Sequence, residues 1–266
     1  MKHELIRWGT AALVATSLAV SLSGCGGGGG SDSSVTPTPV ETPPVAVPTG
    51  TSPITLTANT PAATFAALQL KVNVGKIVVS GAPVVNFSIT DQDGNAVIGF
   101  GTTSKSASAQ VASYPNLAFS MAKLVPAANG SPAKWVSYIV TTVPTATAAA
   151  APTRPSTDNT GTLVDNKNGT YAYTFYRDIT KIKDQVAAMT VAAPNNKDDL
   201  GDLSFVPTAT HRLTIQLSGN APGTSTNTPT GANSGITAVP LKKPVDFVYD
   251  FIPATGKAVT ATDTQR

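Results

Sequence analysis

The chain of 266 residues contains one cysteine and two histidines, so few side chains can ligate a metal or act as nucleophile and base. The cysteine is the most telling of them. Leu22-Ser23-Gly24-Cys25 follows a short basic start, Lys2 and Arg7, and an apolar run from Trp8 to Leu22. That run is shorter than the roughly 20 apolar residues a membrane-spanning helix needs, and it suits the hydrophobic region of a secretory signal. Small residues before the cysteine leave room for a peptidase. The pattern is that of a bacterial lipoprotein signal: cleavage before Cys25, with lipid on its sulfur and on the new amino terminus. Lipidation also accounts for a lone cysteine in an exported protein. One acyl chain holds weakly, but two or three give a stable anchor. Gly26, rather than Asp, follows the cysteine, which favours the outer membrane by resemblance to other Gram-negative lipoproteins.

The remaining candidates for chemistry are few. Removing residues 1–24 leaves His211 as the only histidine. Any Ser-His-Asp site would have to use it, yet His211 sits in an alternating strand pattern, and no G-x-S-x-G elbow accompanies it. A packed, hydrogen-bonded histidine is the expectation. No Cys/His zinc set and no Cys-x-x-Cys-His haem motif is present. Asp91-Gln92-Asp93-Gly94-Asn95 is a faint calcium loop, but twelve-residue spacing places Thr102 where a Glu is needed. Asp198, Asp199 and Asp202 are a second possible calcium group, with a solvated turn as the plainer reading. Tyr171 and Tyr173 have rings that can stack on a sugar or a flavin; facing the core is the favoured alternative. Catalytic, cofactor and metal residues are therefore expected to be none, and the chain is not expected to be an enzyme.

Cleavage also removes Lys2, Arg7 and Glu4, leaving 16 basic and 14 acidic residues. This balance, without any Lys/Arg cluster, argues against nucleic acid as a partner. A single cysteine permits no disulfide within the chain, so the fold depends on its core. Residues 25–53 read as a tether: five glycines, Gly26 to Gly30, then Thr-Pro and Pro-Pro steps that favour extended backbone.

The elements that would position these residues follow from period two. Leu68, Leu70, Val72 and Val74 alternate with polar residues, as do Val85, Phe87 and Ile89, then Leu117, Phe119 and Met121. Asp91–Asn95 is a turn leading into Ala96–Phe100. Trp135, Tyr138 and Ile139 form a short apolar piece, and Thr141–Asn159 reads as a mobile loop. Thr162–Val164 and Thr170–Phe175 predict a hairpin in which Gly169 supplies the positive φ. The spacing of Ile179, Ile182, Val186 and Met189 predicts one helix, capped by Asp178. His211, Leu213, Ile215 and Leu217, then Val245, Phe247, Tyr249 and Phe251, give the last strand faces. Eight to ten strands with few helices predict an all-β antiparallel sandwich or partly open barrel over residues 54–253, with 254–266 as an exit segment. No internal repeat is evident.

Five segments carry a resemblance: Val85-Asn86-Phe87-Ser88-Ile89-Thr90-Asp91-Gln92-Asp93-Gly94; Ala122-Lys123-Leu124-Val125-Pro126 with Lys134-Trp135; Gly161-Thr162-Leu163-Val164-Asp165 with Asn168-Gly169-Thr170-Tyr171; Thr210-His211-Arg212; and Tyr249-Asp250-Phe251-Ile252-Pro253. In this order and spacing they resemble the amino-terminal domain of the outer-membrane OmcA/MtrC-type decahaem c-type cytochromes of metal-reducing bacteria. The resemblance implies a Greek-key split β-barrel that precedes a haem-bearing module in an extracellular electron-transfer protein. It implies c-type haem only in that downstream module. It also implies a lipid-anchored position on the cell surface, and as partners an outer-membrane porin-cytochrome conduit or the chain's own haem module. No haem-attachment residue lies within the chain, which reaches Arg266 about where that module would begin. This is expected of a truncated gene, a fragment or a stand-alone domain. The alternative function is a surface lipoprotein that binds polysaccharide or a protein through Thr141–Asn159 and Gly219–Gly235.

Overall fold

The computed structural model describes residues 45–191 and 197–260. The signal, Cys25 and the tether up to residue 44 lie outside the described residues. In chain order the elements are β1 (Ile54–Thr55), α1 (Ala62–Ala67), β2 (Lys71–Val78), β3 (Val84–Thr90), β4 (Val97–Ile98), β5 (Leu117–Val125), β6 (Lys134–Ser137), β7 (Thr162–Asp165), β8 (Thr170–Thr174), α2 (Ile182–Ala188), a 3-10 turn (Lys197–Leu200), β9 (His211–Leu217), β10 (Val245–Ile252) and β11 (Lys257–Ala258).

Two antiparallel sheets result. One runs β2-β3-β8-β7 and the other β11-β10-β9-β5-β6, with β1 and β4 as a short parallel pair beside them. The alternation read from the sequence sets the inner faces: Val85, Phe87, Ile89, Tyr171 and Tyr173 of the first sheet are buried, as are Leu117, Phe119, Met121, Leu213, Ile215 and Leu217 of the second. The sheets meet through aromatic contacts. The Phe119 ring stacks on Tyr173 at 3.9 Å between centroids and meets Phe87 edge-on at 5.6 Å. Both sheets stay open at their edges, so the all-β expectation resolves as a sandwich.

The strand order has a symmetry absent from the sequence. Hairpins β2–β3 and β7–β8 build one sheet, and β5–β6 and β9–β10 build the other. With the two-residue edge strand β11 set aside, exchanging β2 with β7, β3 with β8, β5 with β9 and β6 with β10 leaves both orders unchanged. The central pairings, β3 on β8 and β5 on β9, are both antiparallel. Even the turns after the central strands of the first sheet match. Asp91 Oδ1 accepts the Asp93 N–H, and Asp178 Oδ1 accepts the Thr180 N–H. Each carboxylate thus closes an Asx turn two residues ahead of itself.

Local departures have local causes. The alternation from Leu68 predicts a strand, but β2 begins at Lys71, and Phe65 belongs to α1. That helix starts after Pro61 in an Ala-rich stretch, anchors through Phe65 and Ala66, and ends where Leu68 turns extended. The second helix begins after Lys181, with Asp178 organising the turn before it rather than its cap. Ile179, Ile182 and Val186 are buried as predicted, while Met189 is half-exposed. Gly169 adopts φ +81° in the β7–β8 turn. Residues 45–53, the end of the expected tether, lie against the domain. The Gly50 N–H donates to the Gly94 carbonyl, Ser52 N–H donates to Asn95 Oδ1, and Val45 sits over Gly75.

Candidate functional site

The groups capable of chemistry gather in two buried networks and one pair on the outer sheet face. The first network stands at the β9 end of the second sheet. Lys123 falls on the inward phase of β5, where Leu117, Phe119 and Met121 precede it, and is 2 % exposed. Its ammonium donates to Asp202 Oδ2 at 2.9 Å, to the Ser204 carbonyl at 2.6 Å and to Ser204 Oγ at 3.0 Å. Three acceptors for three N–H donors make this buried charge tolerable. Bonds from Ser204, then from Lys123, hold the Asp202 carboxyl far below the usual carboxylate range.

His211 pairs with Lys123 across β5 and β9 and is fully buried. Its Nδ1 lies 2.8 Å from the Ala209 carbonyl. A carbonyl only accepts, so Nδ1 carries the hydrogen, and Nε2 accepts from the Tyr138 hydroxyl at 3.1 Å. Burial first, and the Lys123 charge in addition, pull the imidazole down to about 4 against the pull of the Ala209 carbonyl. Burial likewise raises the Tyr138 hydroxyl. Neutral His211 stacked on Tyr138 therefore has neither a free lone pair nor a serine to activate, as a packed histidine should.

The second network is centred on Asp158. Its Oδ1 accepts the Tyr173 hydroxyl and the Thr160 N–H, while Oδ2 accepts Arg177 Nη1 at 3.0 Å and the Tyr176 N–H at 3.1 Å. Arg177 continues to the Thr141 carbonyl and hydroxyl. The Asp158 backbone pairs with Phe119 of β5. Burial, then the Asp158 charge, raise Tyr173 well above an ordinary phenol. Thr160 Oγ1 is the one buried side-chain polar atom without a partner among the described residues.

On the outer face of the second sheet, Arg212 forks onto Asp250 at 2.7 and 2.8 Å and lies 4.1 Å over the Trp135 ring. The bidentate bonds raise the guanidinium further. Around this pair the outward positions include the small side chains Ala118, Ser120 and Ala122 of β5 and Thr214 of β9, with the Ser120 and Thr214 hydroxyls 2.6 Å apart.

The residues singled out from the sequence are placed as follows. Asp91 is not a free ligand. Both its oxygens are engaged by Asp93 and Asn95, and these bonds outweigh burial to lower its carboxyl. Asp202 is committed to Lys123 and Ser204, while Asp198 and Asp199 lie in the 3-10 turn. Among the described residues no group of three His, Cys, Asp or Glu is placed to hold a metal, and no helix is long and apolar enough to cross a membrane. Tyr171 and Tyr173 face the core; Tyr171 donates to the Val97 carbonyl. Thr141–Asn159 is irregular but bonded: Thr142 N–H donates to the Ala151 carbonyl and Thr153 N–H to the Val140 carbonyl. In Gly219–Gly235, Asn227 donates to Asn116 Oδ1 and to the Asn220 carbonyl. Sequence reasoning missed Lys123, Asp158 and Arg177. The signal for Lys123 was available, since it is the fourth inward position of an alternating strand.

One consequence is measurable at Asp202. Its depressed pKa contributes stability above the unfolded value of 3.8 that is lost as pH falls below it. The side chain is 57 % exposed, so screening trims the effect. Asp202→Asn is expected to cost about 1–2 kcal/mol at neutral pH by leaving Lys123 without a counter-charge. Urea titrations at neutral pH and near pH 3 should show the gap between variant and parent closing in acid.

No family model matches the chain, and no curated protein matches it significantly. Solved structures do. The outer membrane decaheme cytochrome OmcA aligns at 20 % identity and TM-score 0.42, covering 74 % of this chain and 24 % of that one. MtrC from Shewanella baltica OS185 aligns at 21 % identity and TM-score 0.39, covering 73 % of this chain and 23 % of that one. The chain thus spans about a quarter of the length of each.

Proposed function

We propose that this chain is the haem-free, lipid-anchored front domain of a cell-surface multihaem cytochrome, and that it spaces and docks a haem module without a redox centre of its own. One observation carries the reading: the side chains able to do chemistry are spent on construction. Lys123 and Asp202 tie the segment before β9 to the sheet. Asp158 and Arg177 tie both ends of the 141–159 excursion to it, and His211 packs between Tyr138 and the aromatic core. A domain so organised holds a shape. The outer sheet face around Trp135 and Arg212 is the surface we assign to docking. The ordered motifs support the same reading because their residues fall at structural junctions: the Asp91 turn, the Arg212–Asp250 fork beside Trp135, and the β7–β8 hairpin.

The test is to sequence the coding DNA beyond the codon for Arg266. Cys-x-x-Cys-His codons are expected within the next few hundred bases in one of the three frames. A stop with no such codons in any frame would sink the cytochrome reading and leave a free-standing lipoprotein that binds polysaccharide or protein. The anchor is tested separately: radiolabelled palmitate should mark the parent and not Cys25→Ser.

A further inference from the structure

The chain contains two Asn-Gly steps among the described residues, Asn129-Gly130 and Asn168-Gly169, both in hairpin turns with positive φ. Their surroundings differ in every respect that governs succinimide chemistry. Attack by the glycine nitrogen on the asparagine Cγ needs an unencumbered N–H, a carboxamide free to rotate, and backbone free to close a five-membered ring.

Asn129 and Gly130 are the two central residues of the β5–β6 turn, at φ 50° and 80°, the type I′ geometry. The turn is closed by its flanks: Ala128 N–H to the Ser131 carbonyl at 3.1 Å, and Ser131 N–H to the Ala128 carbonyl at 2.9 Å. Neither bond uses the Gly130 N–H, and the Asn129 carboxamide has no partner among the described residues. Residues 126–134 are all exposed, and the space where a Gly130 side chain would stand is empty.

Asn168 is held. Its Oδ1 accepts the Thr170 N–H at 3.0 Å and the Thr170 hydroxyl at 2.7 Å. Gly169 is packed, with its Cβ position 2.7 Å from Ala96 and 3.0 Å from Pro48, and its carbonyl accepts the Ile89 N–H.

We propose that Asn129 is a spontaneous modification site, a slow chemical clock at the tip of the β5–β6 hairpin. The Gly130 nitrogen bonds to Asn129 Cγ. The side-chain nitrogen leaves as ammonia, taking the Gly130 amide hydrogen. Water then opens the succinimide to aspartate or isoaspartate, adding one solvent oxygen. The product carries a new negative charge. The isoaspartate form also lengthens the backbone by one methylene in a two-residue loop, at a position six residues before Trp135 on the outer sheet face.

The experiment incubates the full chain at mildly alkaline pH in ¹⁸O water, folded and in urea, and follows both sites by peptide mass spectrometry. In urea the two sites should incorporate label at comparable rates. In the folded chain Asn129 should stay within about threefold of its urea rate, while Asn168 slows at least about tenfold, since its reaction needs local opening. Asn129→Gln should abolish label in its peptide and leave the Asn168 rate unchanged. Folding that slows Asn129 as much as Asn168 would overturn the proposal.

Discussion

Replacing Asp158 with alanine is expected to lower unfolding free energy by about 3–5 kcal/mol, the cost of leaving a buried charge without its partner. The substitution leaves Arg177, 6 % exposed at its side chain, without its counter-charge, takes the acceptor from the Tyr173 hydroxyl, whose oxygen still accepts the Gly161 N–H, and unpairs the Thr160 and Tyr176 N–H groups. Domains of this size are commonly stable by only about 5–15 kcal/mol, so one residue in an irregular excursion decides much of the margin. The smaller steps should rank below it. Arg177→Ala leaves Asp158 three hydrogen-bond donors and should cost less. Tyr173→Phe removes one bond to a charge, worth about 1.5–3 kcal/mol. Urea denaturation of the three variants gives the order; an Asp158→Ala loss below that of Tyr173→Phe would mean that the network is not centred on the carboxylate.

Asp158 also marks where the sequence ceased to be readable. Period two identified the inner face of nearly every long strand, because the side-chain alternation of a half-buried sheet is local information. It did not identify partners. That β3 lies on β8, and β5 on β9, depends on contacts between residues 86 and 94 positions apart at the centres of the pairings, and no local pattern encodes these. The exchange symmetry of the strand order stayed hidden for the same reason. Asp158 looked like one polar residue in an Ala/Thr/Pro-rich loop, and only its backbone pairing with Phe119 brings it inside. Lys123 is the opposite case: its phase said inward, its charge said outward, and phase won because Asp202 and Ser204 supplied acceptors. His211 was legible because its strand neighbours Leu213, Ile215 and Leu217 fixed its face.

The two networks give the sandwich different sensitivities. The second network is an ion pair, Arg177 Nη1 on Asp158 Oδ2 at 3.0 Å, with both side chains buried. His211 is a neutral group enclosed by Tyr138, Phe205, Phe251 and the facing Lys123 ammonium, and its two ring nitrogens face the Ala209 carbonyl and the Tyr138 hydroxyl rather than a carboxylate. The strong carboxylate of that network, Asp202, is already bound to Lys123. Acid should therefore act on the fold in two separate windows, the histidine before the carboxylates.

Between pH 7 and pH 4 the chain is expected to lose about 3 kcal/mol of stability through His211 alone, the product of a shift from 6.5 to about 4 and 1.36 kcal/mol per unit. The sign follows from where the proton binds. The folded pKa is depressed, so between those values the unfolded chain takes up a proton that the fold excludes. The stability is full above 6.5, falls as pH drops, and is lost once pH passes the folded value. Asp91, Asp178 and Asp202, all lowered by their hydrogen bonds, begin to contribute only below 3.8, so the windows barely overlap. His211→Gln keeps a side chain able to bond Ala209 and Tyr138 but cannot titrate. It should be less stable than the parent at pH 7, yet nearly flat from pH 7 to pH 4, so the two curves converge in acid. A parent whose urea midpoint does not move across that interval would mean that the imidazole takes up its proton inside the fold as readily as in the unfolded chain, with the Tyr138 hydroxyl then turning to accept from it.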